Sequence, residues 1–192
     1  MVYNIFTKDA EVILKKYIII ILLSLMLFAV GPAGSYELVL NNTPTKVCFS
    51  PKGRCTESII KEIDQAKNNI FVQAYSFTAA PIAKALVDAH KRGLHVEVIL
   101  DKSQRSQKYT SASFLANSRV PTYIDADHAI AHNKIIIIDK ETVITGSFNF
   151  TKNAESNNAE NLIILKSKDL AEIYINNWQA HRSHSEEYKP RY

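Results

Sequence analysis

The chain has 192 residues, a formal net charge of +4, 46% hydrophobic and 22% charged residues. That length fits one ordinary domain of roughly 100–200 residues, and the composition excludes wholesale disorder and collagen-like or low-complexity organisation. Two cysteines are too few for a disulfide-framework fold, and the small positive charge permits an anionic partner without requiring one.

The first 35 residues differ from the rest. Lys15 and Lys16 precede an uncharged run of 14 residues, Tyr17 to Val30, followed by Gly31, Pro32, Ala33, Gly34 and Ser35. A spanning helix takes about 20 apolar residues, whereas the apolar region of a secretory signal takes about 7–15. Ala33 and Ser35 supply the small side chains of a cleavage site. We therefore read residues 1–35 as a signal peptide cleaved near Ser35, with an uncleaved N-terminal membrane anchor through residues 17–30 as the alternative. The first reading makes the protein exported, periplasmic or secreted. Residues 36–192 form the functional domain in either case.

Thr45–Ser50 is a short β-like run. Cys48 and Cys55 bracket a small loop with Pro51 and Gly53. Export makes a disulfide between them the expected state, and a cytosolic location leaves two free thiols. They lack the second ligand pair of a zinc pattern. Ile59, Ile60, Ile63 and Ala66 recur at helical spacing. Asn69–Ser76 reads as a strand. Pro81–Arg92 reads as a helix, with Pro81 in its first turn and Gly93 just past its end. His95–Leu100 alternates as a strand. Residues 102–119 read as a polar loop, with Lys102, Arg105 and Lys108, leading into a short helix. Pro121–Ile124 is a further short strand.

Lys134–Asp139 holds four consecutive isoleucines, the mark of a strand buried on both faces. Thr142–Gly146 follows closely enough to pair with it as a hairpin. Leu162–Leu165 is another apolar run. Leu170, Ile173, Tyr174, Asn177 and Trp178 have helical spacing and predict a C-terminal helix packed on the sheet. The polar tail from Ser183 is expected to fray. Strands alternating with helices predict an α/β domain, a mixed sheet sandwiched by helices on both faces. There is no internal repeat.

The chemistry concentrates in His132-Asn133-Lys134, in Ser147-Phe148-Asn149 and at Glu160. Residues two apart on a strand share a face. His132 and Lys134 then lie together at the start of one strand, with Ser147 and Asn149 at the far end of its hairpin partner. An ammonium suits a phosphodiester's charge, and a carboxamide adds donors for the oxygens on which charge builds. His132 can serve as nucleophile or acid–base at neutral pH. Glu160 can fix its tautomer from the other ring nitrogen. Singly, His132 reads as a polar strand-end residue and Lys134 as a solvated flank. Their combined spacing points to chemistry.

At these residues the sequence resembles the phospholipase D superfamily. HNKIIIID fits its H-x-K-x4-D signature, and GSFN fits the G-S-x-N that completes it. QAYSFTAAPIAKAL, KRGLHVEVILD and NNWQAH further resemble the small single-motif bacterial endonucleases of that superfamily, over roughly residues 45–182. The resemblance implies a catalytic set of His132, Lys134, Asp139 and Glu160, with His132 as the nucleophile that forms a phosphohistidine. Lys134, Ser147 and Asn149 would bind the substrate phosphate. Asp139 belongs to the signature with a mainly structural part, in keeping with its odd parity relative to His132. The family's chemistry uses two such histidines. His90, His95, His128, His181 and His184 lie outside the motif, so the second is expected from a twofold-related copy in a homodimer. No cofactor and no metal is required by this chemistry.

Length, single motif and flanking resemblance favour nucleic acid as substrate, DNA or RNA. Lys102, Arg105 and Lys108 are candidate backbone contacts. Phe148 and Phe150 suit base stacking or, more simply, the core. Phospholipid head-group hydrolysis, on phosphatidylcholine or cardiolipin, is the alternative. The mitochondrial cardiolipin hydrolase type shares an apolar N-terminal segment and a single motif. It adds a cysteine/histidine metal-binding insert where this chain has only Cys48 and Cys55. A module that binds phosphate without turnover is the third reading, and it would not need Glu160.

Overall fold

The computed structural model describes residues 34–190. The apolar run over residues 17–30 lies outside them. Among the described residues, no helix is long and apolar enough to cross a membrane. Residues 38–190 belong to one compact unit.

An eight-stranded mixed sheet runs through this unit. In chain order the elements are β1 (Thr45–Ser50), α1 (Cys55–Gln65), β2 (Asn69–Ala74), α2 (Ala80–Lys91) and β3 (His95–Asp101). A 3₁₀ turn (Lys102–Arg105), α3 (Ala112–Asn117), β4 (Thr122–Asp125), β5 (Lys134–Ile138) and β6 (Thr142–Gly146) follow. The chain ends with α4 (Lys152–Ser156), β7 (Glu160–Lys166), α5 (Lys168–His184) and β8 (Glu186–Glu187). The spatial order is β1-β7-β6-β5-β2-β3-β4-β8. β2, β3 and β4 are parallel, whereas β5 runs antiparallel to β2 and begins an antiparallel meander out to β1.

The four-isoleucine strand explains the layering. Ile136 and Ile138 face a core shared with Ile59 and Ile63 of α1, Ile82 and Leu86 of α2, Leu115 of α3 and Ala154 of α4. Ile135 and Ile137 face the opposite way, against Ala171, Ile175 and Trp178 of α5 together with Ile99 and Val143. Trp178 Nε1 also donates to the Val72 carbonyl at 2.9 Å. Each such fully buried large apolar side chain contributes about 1.5–3 kcal/mol, so β5 is anchored from both sides. This is the predicted sheet with helices on both faces.

Cys48 and Cys55 are joined by a disulfide, Cα to Cα 5.8 Å, which fastens β1 to the start of α1. Pro81 lies in the first turn of α2, and Gly93 just beyond its end has φ +91°. Asp139 and Lys140 turn the chain between β5 and β6 with φ of 53° and 55°, the signs of a type I′ turn. The Glu141 N–H closes it on the Ile138 carbonyl at 3.0 Å.

Among its described residues, to 190, the C-terminal tail does not fray. α5 continues to His184, β8 pairs with β4, and the Tyr188 N–H donates to Thr122 O at 2.8 Å. Tyr188 is buried, and its hydroxyl hydrogen-bonds Ser113 Oγ at 2.8 Å. A two-residue strand of glutamates carries no apolar pattern, so docking through one aromatic escaped the sequence. Behind it sits the buried Asp125 carboxylate. Burial alone would raise its pKa. Hydrogen bonds from His128 and His181, the His128 charge and the His184 contact outweigh that and hold it at about 2.

Candidate active site

β5 begins, β6 ends and β7 begins at the same end of the sheet. The pairing of Ile136 with Ile144, extended two residues, sets Lys134 level with Gly146, and Gly146 pairs with Leu162. Ala74, the last residue of β2, pairs with Lys134 from the other side. The ends of these strands therefore gather His132, Lys134, Ser147, Asn149 and Glu160 from loops distant in sequence.

His132 is exposed in the loop that leads into β5. Three anchors hold that loop. The Ala131 N–H donates to Asp101 Oδ2 at 2.7 Å, and the Tyr75 N–H donates to the Asn133 carbonyl at 2.8 Å. Lys134 Nζ donates to the His132 carbonyl at 2.9 Å. Tyr75 packs its ring on the His132 imidazole, centroids 4.6 Å apart, and lies under Lys134 Nζ at 5.1 Å. Tyr75 was not singled out in the sequence. Its position at the end of a predicted strand was the available signal.

Lys134 is buried, 6% exposed. Burial lowers its pKa from the usual lysine value, and the Glu160 carboxylate opposes that shift. The ammonium has one hydrogen bond, to the His132 carbonyl, and keeps donors for an anion.

Ser147 and Asn149 lie beyond β6 rather than on it. Phe148 and Phe150 alternate with them and are fully buried, so those aromatics belong to the core and not to a base-stacking surface. The Ser147 and Phe148 N–H groups both donate to the Asn161 carbonyl, at 3.1 and 3.2 Å. Asn149 Oδ1 is buried with no hydrogen-bond partner. The Asn149 backbone carbonyl accepts from Thr151 N–H at 2.7 Å, and Thr151 Oγ1 then caps α4 by accepting from Ala154 N–H at 3.1 Å.

Glu160 departs from its expected partner. Its Oε2 accepts from Ser147 Oγ at 2.6 Å and its Oε1 from Asn158 Nδ2 at 3.0 Å. No hydrogen bond joins it to His132; its two oxygens are turned to Ser147 and Asn158 instead. Asp139 is not in the site. It stands at the opposite end of β5, where its carboxylate accepts from the Lys67, Asn68 and Asn69 N–H groups at 2.9, 2.7 and 3.1 Å. The catalytic assignment of Asp139 is thereby corrected: it caps the entry into β2, in keeping with the structural part the signature implied for it. Of the three loop cations, Arg105 is paired with Glu186, whereas Lys102 and Lys108 are exposed, the latter beside the exposed Tyr109 ring.

The site thus combines an exposed imidazole, a desolvated ammonium, an unpartnered carboxamide oxygen and a hydrogen-bonded carboxylate. Residues 59–182 match the family model described as cardiolipin synthase, PLD-like domain. A protein named phospholipase D from Rickettsia conorii is 45% identical over 139 residues, spanning 72% of this chain and 70% of that protein. The mitochondrial cardiolipin hydrolase of Canis lupus familiaris is 26% identical over 133 residues, spanning 69% of this chain and 52% of that protein. Nuc, a phospholipase D family member from Salmonella typhimurium, shares the fold with a TM-score of 0.74 at 38% identity, covering 77% of this chain and 99% of that one. A match running from α1 to the last turns of α5, across every strand that gathers the histidine, lysine and asparagine, makes this chain a member of the phospholipase D superfamily and a phosphodiesterase.

Proposed function

We propose that the chain hydrolyses nucleic-acid phosphodiesters through a covalent phosphohistidine on His132. The observation that carries this reading is the exposed His132 imidazole, fixed by Tyr75 and set beside the buried Lys134 ammonium. The His132 ring nitrogen attacks phosphorus while Lys134 and Asn149 take the charge on its oxygens. The bond to the leaving oxygen breaks, and a second histidine gives that oxygen a proton. Water then attacks the phosphohistidine, passing its proton to the same second histidine, and releases the phosphomonoester.

The second histidine is the His132 of another copy in a twofold dimer. An exposed apolar strip beside the site supports this. Val47 and Phe49 of edge strand β1 are 50% and 67% exposed, and Phe49 pairs with Asn161 next to Glu160. Exposed Lys102, Lys108 and Tyr109 follow β3 at the same end of the sheet and favour a sugar-phosphate backbone. Phospholipid hydrolysis is the second reading, favoured by the name phospholipase D on the Rickettsia relative. The N-terminal segment would export or anchor the enzyme.

The test incubates the full chain and His132→Ala with single-stranded DNA, plasmid, and phosphatidylcholine or cardiolipin vesicles, with and without chelator. DNA cleavage by the unmodified chain alone supports the nuclease reading. Head-group release without DNA cleavage replaces it with the lipid one. Undiminished turnover by His132→Ala sinks both.

A further inference from the structure

Away from the phosphodiester site, three stretches of chain bring four metal-binding side chains together. β4 ends at Asp125, the following loop carries His128, and the last turns of α5 carry His181 and His184. One ligand atom from each lies within 4.8 Å of all the others. Asp125 Oδ2 is 2.7 Å from His181 Nδ1, and Asp125 Oδ1 is 3.0 Å from His128 Nδ1 and 3.4 Å from His184 Nε2. Around a tetrahedral zinc ion with bonds of roughly 2.0–2.1 Å, neighbouring ligand atoms stand roughly 3.3 Å apart. The separations in the cluster bracket that value.

Hydrogen bonding alone accounts for only part of this arrangement. His128 and His181 are satisfied by Asp125. His184 Nε2 is buried and meets Asp125 Oδ1 only in a long 3.4 Å contact, with no hydrogen bond of good geometry. A buried polar atom without a partner is costly and uncommon. Asp125 Oδ1 also accepts from the Asp127 N–H at 3.3 Å, a backbone contact of the kind that helps position metal ligands.

We propose that Asp125, His128, His181 and His184 form a structural site for a divalent transition ion of the zinc class. Three imidazoles and one carboxylate suit zinc and its neighbours, whereas magnesium and calcium select oxygen ligands. Four protein ligands fill a tetrahedron, so no position remains for substrate or reactive water. The ion would tie the end of α5 to the loop of residues 126–133, which delivers His132 four residues after His128. It would act as a further staple on that loop beside the Asp101 and Tyr75 anchors. The proposal does not depend on which phosphodiester is cleaved. In the sequence the signal was a D-x2-H pair and an H-x2-H pair, with 52 residues between His128 and His181.

The test strips the full chain with chelator and titrates it with zinc chloride by calorimetry and with cobalt(II) by visible absorption. One ion per chain is expected, with the intense bands of tetrahedral cobalt. The thermal midpoint should rise by roughly 5–10 °C at a hundredfold excess over Kd. His128→Ala and His184→Ala should each weaken binding at least tenfold, and the double variant should lose stoichiometric binding. His95→Ala, outside the cluster, should bind as the unmodified chain does. Absence of stoichiometric zinc binding at neutral pH, weak octahedral cobalt bands, or binding that survives in the double variant would overturn the site. Should the double variant fail to fold, the cobalt spectrum of the unmodified chain decides.

Discussion

Ser147 Oγ donates to Glu160 Oε2 at 2.6 Å and accepts from the Asn161 N–H at 3.0 Å, so one hydroxyl links the loop after β6 to the start of β7. The bond holds the carboxylate that, among the described residues, acts on Lys134 through its charge. Glu160→Gln keeps an acceptor for Ser147 but removes that charge. It is expected to lower kcat at least 100-fold, while Ser147→Ala lowers it about tenfold. Because the two side chains touch, their effects should not add, with a coupling of about 1 kcal/mol in a double-mutant cycle. Initial rates of the four proteins check this, and additive losses would contradict a shared role.

Lys134 is the buried cation of the candidate site, where the proposed mechanism has it bind the phosphate. Its pKa is pushed below the ordinary 10.5 by burial, with Glu160 opposing. Between the folded and unfolded values the unfolded chain binds more protons, so stability rises with pH across that window. Below it, the burial penalty on the charge is constant. Lys134→Met should flatten this alkaline rise, which urea midpoints measured from neutral pH to about pH 10 will show. In kinetics, the alkaline limb of kcat/KM should fall at a pH below the ordinary lysine value. Lys134→Arg should move that limb upward, since guanidinium keeps its proton. Parallel stability curves for the unmodified chain and Lys134→Met would disprove the assignment.

Asp139 separates structure from chemistry within one motif. Its carboxylate accepts three backbone N–H groups at residues 67–69, joining the turn after β5 to the entry of β2. Asp139→Ala leaves those donors without this acceptor and should cost about 2–3 kcal/mol. It should leave kcat within about twofold in conditions where the variant remains folded, since the candidate site lies at the other end of β5. Chemical denaturation alongside initial rates measures both. A large loss of kcat with unchanged stability would return Asp139 to the catalytic set.

What the sequence made legible follows from the range of each interaction. The isoleucines of β5 announce a doubly buried strand because burial on both faces removes the polar alternation. The two-residue spacing of His132 and Lys134 is likewise local. The partners of Asp139 are about 70 residues away, and parity could say only that it points elsewhere. Its place just before the apolar run Leu162–Leu165 put Glu160 within reach of the site end of the sheet, but its choice of Ser147 and Asn158 over His132 depends on loop geometry that spacing does not encode. The Asp125 cluster draws on three stretches, none of which carries a ligand pattern strong enough to stand alone.

Gly146 sets how closely two loops of the candidate site approach. It has φ +148°, and a Cβ there would lie 2.3 Å from the Asn161 carbonyl oxygen and 3.0 Å from its carbon. That same oxygen receives the Ser147 and Phe148 N–H groups. A methyl at residue 146 therefore displaces backbone rather than a flexible side chain, and shifts Ser147, Asn149 and Glu160 together. Gly93 provides the contrast, with φ +91° and nothing within 4 Å of an added Cβ. Gly93→Ala should cost only the left-handed backbone penalty, about 1–2 kcal/mol, and leave turnover unchanged. Gly146→Ala should cost about 3 kcal/mol or more and reduce kcat at least tenfold even where the variant is fully folded. Urea denaturation with rates on the same preparations separates the two. If Gly146→Ala proved no worse than Gly93→Ala in both, close approach of β6 to Asn161 would not be what positions the site.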